Sequence, residues 1–447
     1  MRDLLIIGLF MLAMAYTLKK PYIGALAMAV VGFLNPQTLG WGLVRGVPFA
    51  AMAVAVTGVG MILQNKQIEF KINATFIWLV LFLAWGGVCT LNAIHPEYAK
   101  EELIRFFKIQ IVIFMTLFLI NDKHKLVALV WTIALSLGYW GIKGGIFSLA
   151  TFGAYRIWGP EKTFIGGNNE IGLALLVNLP LFYYLFVHSV NKWVKRGLLA
   201  AMFFCLCAVV FTYSRGAFLG LIATSGFLWW KSDKKLPMAV LGIMLIIMAI
   251  PFIPQELYDR LETIKTYKAD RSAMGRINAW TTAINVANDR VTSGGYRHWS
   301  RASFALYAPD PDHVADAHSI YFEVIGELGW IGFFMFFMIH YLNWRTANKT
   351  IAYCRGDPNK QWAADLSKMI QVSCIAYYSG GAFLGLAYWD MPYYLMLIAF
   401  VTQRIVMAQD ETPASVETTE NIKNVEVTKT RTKKKLKYTE TGIPIRN

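Results

Sequence analysis

Asp316-Ala317-His318-Ser319 closes a hydrophilic block, residues 254–316, that carries Arg260, Arg271, Arg276, Arg290, Arg297 and Arg301; an apolar run, 320–339, follows at once. A histidine can take a proton from a sugar hydroxyl. Placed at the mouth of a membrane span and opposite fixed guanidinium groups, His318 points to an anionic substrate at a membrane surface. A lipid-linked phosphate fits better than a soluble metabolite. The competing reading is a hydrogen-bonded histidine at a helix start, since Asp316 and Ser319 suit N-capping. Tyr321, Glu323 and Glu327 follow it. A carboxylate one turn into a membrane helix is expensive and usually has a function. Glu323 is expected to orient a histidine or an arginine, and Glu327 to pair with a cation elsewhere in the bundle. Tyr321 and Glu323 therefore join the substrate-binding set.

Arg215 stands in a tight turn, Thr212-Tyr213-Ser214-Arg215-Gly216, between two long apolar runs. A guanidinium there can bond phosphate oxygens bidentately; the position equally suits an arginine that snorkels to the interface. Arg276 lies on an amphipathic stretch and shares a helical face with Trp280, four residues on. Arg156 is taken with Asn168 and Asn169. The turn Gly166-Gly167-Asn168-Asn169-Glu170 offers backbone N–H groups to an anion, or an ordinary cap to a helix. Arg271, Arg290, Arg297 and Arg301 read as solvated surface residues. Asp310, Asp312 and Asp316 match a calcium loop only loosely, and Cys205-Leu206-Cys207 is not a CxxC pair. The five cysteines read as packing residues, so no metal and no cofactor is expected.

Residues so far apart need a frame, and composition names its solvent. The chain has 447 residues, 56% hydrophobic and 16% charged, with mean hydropathy +0.43. Such values imply membrane spans. Continuous apolar runs such as Leu236–Ile253 argue helices, because barrel strands would alternate. The expected fold is all-α, a polytopic membrane bundle of about 12–13 spans: 3–18, 22–34, 47–63, 75–93, 103–120, 125–141, 170–188, 197–213, 216–230, 236–253, 319–341, 366–386 and 389–407. The second is short enough to be a half-span. Residues 1–150 read as N-terminal membrane helices, 151–407 as a core that includes the 254–318 loop, and 408–447 as a disordered basic tail. Within the loop, Leu257–Asn288 has the spacing of an amphipathic helix pair, 293–296 is a turn, and 297–315 is irregular. Residues 142–169 read as a Gly-rich loop.

Lysine and arginine in short loops set orientation. Lys192, Lys195 and Arg196, then Lys231, Lys234 and Lys235, then Arg345 to Lys368, and the tail all fall on one side, the cytoplasm. The 254–318 block falls opposite, on the periplasmic side of a Gram-negative inner membrane. Its arginines run against the positive-inside rule, which argues that they serve substrate rather than topology. A net charge of +15 does not imply nucleic acid, since no basic helix stands on a soluble domain. The tail's basic run suits anionic lipid headgroups or a topology anchor.

Taken in order, Tyr213-Ser214-Arg215-Gly216, Arg276-Ile277-Asn278-Ala279-Trp280, Ala317-His318-Ser319-Ile320-Tyr321 and Glu327-Leu328-Gly329 resemble the O-antigen ligase / Wzy polymerase superfamily. The opening, Met1-Arg2-Asp3-Leu4 through Asn35-Pro36-Gln37, resembles a subgroup of O-glycosylation ligases associated with exosortase systems. The resemblance implies a glycosyltransferase that uses an undecaprenyl-diphosphate-linked glycan, without metal or nucleotide. By that analogy His318 deprotonates the acceptor hydroxyl, and Arg215 and Arg276 bind the diphosphate and stabilise it as it leaves. Arg271 or Arg290 is an alternative to Arg276. The acceptor is a lipid A–core, another lipid or a protein. A polymerase of the same superfamily and a protein O-oligosaccharyltransferase share the donor chemistry. A transporter is the reading from another class; it would require inverted repeats and broken helices with charges at mid-membrane, whereas no internal repeat stands out and the notable charges cluster at one face.

Overall fold

The computed structural model describes residues 1–64, 72–231 and 271–411, without the side chains of residues 231, 271, 272 and 411. The run 236–253, the first half of the proposed loop-helix pair and residues 412–447 of the tail lie outside the described residues.

Fourteen α-helices and no strand are found among the described residues. They are α1 (Arg2–Lys19), α2 (Tyr22–Phe33), α3 (Phe49–Leu63), α4 (Ala74–Leu91), α5 (Pro96–Leu119), α6 (Lys123–Ala150), α7 (Asn168–His188), α8 (Lys192–Phe211), α9 (Arg215–Lys231), α10 (Arg271–Asp289), α11 (Arg301–Tyr307), α12 (Ile320–Tyr353), α13 (Gln361–Gly381) and α14 (Asp390–Glu411). The all-α membrane fold expected from sequence is therefore observed. Every apolar run named above that falls within the described residues forms one of these helices. Six of them, α4, α6, α7, α8, α12 and α14, are long and apolar enough to cross a bilayer. With 12 residues, α2 rises only about 18 Å, short of the roughly 30 Å hydrocarbon layer. Exposed apolar side chains such as Leu5 and Leu9 on α1, Leu81 on α4 and Phe203 on α8 are what a lipid solvent allows.

The bundle is knit by α6 on α8, α7 on α8 and α13, α13 on α9, and α12 on α4, α10 and α13. Close approach explains one departure from expectation. Residues 142–150, read as the start of a Gly-rich loop, continue α6. A Cβ at Gly145 would collide with the Phe204 carbonyl of α8, so this glycine serves helix contact rather than a turn. A second departure is α11, a short helix inside the stretch read as irregular. Ser300 caps it, its side chain accepting from the Ser303 N–H at 3.3 Å.

The Glu-Leu-Gly signature has a structural cause. Two helical segments of α12 meet at Gly329, with φ 69° and ψ −173°, a conformation essentially restricted to glycine. The break leaves the carbonyls of residues 325–328 to be met from elsewhere. Ser293 Oγ donates to Ile325 O at 3.0 Å and Gly326 O at 2.6 Å. The Gly294 and Gly295 N–H groups donate to Gly326 O and Glu327 O at 3.1 and 3.0 Å. Trp85 Nε1 donates to Leu328 O at 2.8 Å. The expected turn at 293–296 thus docks its loop onto α12. A Cβ at Gly329 would lie 2.8 Å from Val291 O. We expect Gly329→Ala to cost about 1–3 kcal/mol from the backbone alone, read as a lower melting temperature in detergent. An unchanged melting temperature would mean that α12 runs through unbroken.

Candidate functional site

His318 is placed by two elements. Behind it, α12 begins at Ile320 with Ser319 as N-cap. Ahead of it, α10 fastens the loop. Asn278 Nδ2 donates to Asp310 O and His313 O at 2.8 and 2.9 Å, and its Oδ1 accepts from Asp310 N at 2.9 Å. Trp280 Nε1 donates to Ala317 O at 2.7 Å, and its ring stacks on Phe322 at 4.8 Å. The segment Arg276-Ile277-Asn278-Ala279-Trp280 is thereby a clamp on the residue before His318. Trp280→Phe keeps the stack and loses the indole bond. We expect turnover to fall roughly fivefold, the scale of one lost hydrogen bond of about 1 kcal/mol, with the protein still folded. Wild-type turnover would show that the clamp does not set His318.

The backbone at His318 is left-handed, φ 43°, an uncommon state for a residue with a side chain. His318 is exposed. The capping alternative gains nothing from the geometry: Ser319 makes no side-chain cap bond, and its buried hydroxyl has no partner among the described residues.

His318 borders a cavity of about 550 Å³. Around it stand Asp316 and Glu323 from its own stretch, Glu327, Glu170 at the start of α7, His95, Tyr98, Glu102 and Arg105 at the start of α5, Arg297 and Trp299 from the loop, and Tyr388. Five carboxylates face two guanidinium groups here. That balance suits hydroxyl groups of a glycan better than a diphosphate.

Two of the carboxylates, Glu323 and Glu327, are held by neutral donors, while Glu102 lies 3.6 Å from the Arg105 guanidinium. Glu327 Oε1 accepts from the Arg297 N–H at 2.8 Å and from Trp299 Nε1 at 3.2 Å. Glu323 Oε2 accepts from the Ala387 N–H at 3.0 Å. Where a histidine or arginine was expected at Glu323 and a cation at Glu327, the donors found are backbone and indole N–H groups, which bring no second buried charge. Glu323 thus borders the cavity and anchors the loop before α14. Tyr321 borders a different surface: its hydroxyl donates to Tyr378 O at 2.9 Å.

Arg156 and Arg215 stand elsewhere. Arg215 is the first residue of α9, at the positive end of the helix. Its turn is fixed by Asn168 Nδ2 donating to Thr212 O at 2.9 Å and by Ala217 N donating to Ser214 Oγ at 3.1 Å. The segment holding Arg156 is tied to the same turn, through Ile157 N to Phe211 O at 3.1 Å and through the Tyr213 hydroxyl to Gly153 O. Arg156 and Arg215 are thus brought to one end of the bundle, with Asn168 as structural link and Asn169 beside it on the first turn of α7. Arg156, Arg215 and Arg276 are each half-buried. None of them lines the His318 cavity, and neither do Asn168, Asn169 or Tyr321.

Sequence reasoning did not single out Arg105, Tyr98 or His95, which line this cavity, and the solvated position it gave Arg297 agrees with that residue's exposure. Arg297, read as solvated, sits at φ 55° on the cavity wall, 5.7 Å over the Tyr98 ring. His95 Nε2 and Ser300 Oγ share a 2.6 Å hydrogen bond. A signal existed: Tyr98, Glu102 and Arg105 follow a helical spacing of four and three, a polar stripe in an apolar chain. A further histidine, His298, is fully buried. Burial, with His95 and Arg290 nearby, pushes its imidazole down to about 3, so it stays neutral and serves packing.

Two family models match the chain: "O-Antigen ligase" over residues 200–337 and a family of unknown function over residues 1–190. No curated protein matches it.

Proposed function

We propose, from the match of residues 200–337 to the O-antigen ligase family, that the chain moves a glycan from an undecaprenyl-diphosphate carrier to an acceptor hydroxyl held in the His318 cavity. One observation carries the reading. An exposed imidazole, set in an uncommon backbone state by α10 and α12, borders a cavity rich in hydrogen-bond acceptors.

His318 takes the proton of the acceptor hydroxyl as its oxygen attacks the anomeric carbon. The bond from that carbon to the diphosphate oxygen breaks, and the diphosphate leaves with the electron pair. Arg215 and Arg276, with Arg156 nearby, hold it and stabilise the growing charge; guanidinium groups suit phosphate oxygens. Attack from the face opposite the leaving group inverts the anomeric centre. The acceptor side faces the periplasm, following the loop charges, and the enzyme sits in the inner membrane.

The test is transfer by the purified full chain in detergent, with EDTA present, an undecaprenyl-diphosphate glycan as donor, and lipid A–core and peptide acceptors supplied separately. Transfer to one of them supports the reading and names the acceptor class. Products that lengthen on the carrier without an acceptor would make the enzyme a polymerase. A donor that is never consumed would favour a transporter.

A further inference from the structure

A second cavity, about 740 Å³, adjoins the first. Both α3 and α5 pack on α2 but not closely on each other, so the two helices are walls with a gap between them. The lining is mostly apolar, with Val31, Phe49, Val54 and Val112 among its residues. Its wall of α5 runs from Arg105 to Val112, about 10 Å along the helix.

The polar groups on this cavity are not random. Arg105, Lys108 and Lys162 border it, against one carboxylate, Asp390. Lys108 and Lys162 are exposed and have no ion-pair partner among the described residues. Arg105 lies 3.6 Å over the Phe164 ring, and Arg105, Thr163 and Phe164 also border the His318 cavity. Gln37 Nε2 donates to Asn35 Oδ1 at 3.2 Å, while its buried Oε1 accepts no hydrogen bond among the described residues.

The opening motif of the chain builds this wall. Arg2 Nη1 donates to Leu39 O at 3.1 Å, and the Asp3 carboxylate accepts from the Trp41 and Gly42 N–H groups at 3.2 and 3.0 Å. Asn35 takes the left-handed conformation, φ 52°. Together they fix the loop that carries Gln37 to the cavity and leads into α3. Apart from Trp389, Asp390 and Tyr394, the lining comes wholly from residues 28–165, and none from 200–337.

We propose that this cavity binds an anionic glycerophospholipid that enters sideways between α3 and α5. The acyl chain lies along the apolar wall, the phosphate meets Lys108, Lys162 and Arg105, and a headgroup hydroxyl donates to Gln37. A surplus of cations beside an apolar slot selects an anionic lipid over a zwitterionic one, and the orphan acceptor selects a headgroup with a hydroxyl. The bound lipid shares a wall with the His318 cavity through Arg105 and Phe164, so it is placed to hold Arg105 in position there.

The experiment is native mass spectrometry of the full chain, released from nanodiscs of equal parts phosphatidylglycerol and phosphatidylcholine. Retention of phosphatidylglycerol over phosphatidylcholine by about tenfold is expected. Val54→Trp, which fills the slot, is expected to abolish retention. Lys108→Glu with Lys162→Glu, both at exposed positions, is expected to keep a bound lipid but erase the headgroup preference. Melting temperatures check that each variant is folded. Equal retention of the two lipids, or preference unchanged by the lysine pair, would overturn the proposal. Displacement of phosphatidylglycerol by equimolar undecaprenyl phosphate would overturn it too, since the slot would then belong to the donor's carrier. Binding is read without transfer, so failure here leaves the glycan-transfer reading standing.

Discussion

His318→Ala is expected to lower the transfer rate by a factor of about 10²–10⁴, the usual range for a lost general base. The protein should still insert and fold. Among the described residues the loop is held by Asn278 and Trp280 rather than by the imidazole, and α12 begins at the next residues. The measurement is the rate of glycan transfer at saturating donor, beside the melting temperature of the same preparation. The discriminating control is donor binding. Loss of a base leaves binding near wild type while transfer fails. A well-folded alanine variant that transfers at the wild-type rate would remove His318 from the chemistry. His95, on the same cavity and bonded to Ser300, would then be the histidine to substitute next.

The second large effect is expected at Arg215. Arg215→Lys keeps the charge but cannot reproduce a bidentate contact, so turnover should fall by about 10²–10³, the scale of one lost electrostatic stabiliser of a leaving group. The turn itself should survive. It is fastened by Asn168 to Thr212 O and by Ser214 to the Ala217 N–H, and the lysine disturbs neither bond. An arginine that only snorkels predicts the reverse: lysine would substitute freely, since its ammonium reaches the interface as well. Full activity in the lysine variant would therefore assign Arg215 to topology and move the diphosphate to Arg276 and Arg156. The two substitutions touch different elements, since Arg215 lies on α9 and does not line the His318 cavity.

Part of this design was legible in the chain. Apolar runs of span length gave the helices, because hydrophobic periodicity is a property of neighbours within one helix. The twelve runs that fall within the described residues all form helices, and the boundaries moved where glycine was ambiguous. Gly145 permits a helix contact and Gly329 a helix break; composition alone treats them alike. The order of Arg215, Arg276 and His318 was visible too, but the role of Asn278 and Trp280 beside Arg276 was not. Their bonds reach residues 310–317, more than thirty positions away.

What the sequence by itself determined is therefore an all-α membrane bundle with a histidine at the mouth of a helix and arginines in the loops around it. The tertiary structure alone decided which of them meet. Arg297 and Arg105 joined His318, while Arg215 and Arg156 gathered at another turn. The cause is the break at Gly329. Carbonyls exposed there had to find donors, and Ser293, Gly294 and Gly295 supplied them. That docking draws the 293–300 segment against α12 and, through Ile94 N to Gly294 O at 2.9 Å, against the start of α5. The cavity wall is a consequence of satisfying buried backbone groups, a demand that no local pattern of residues records.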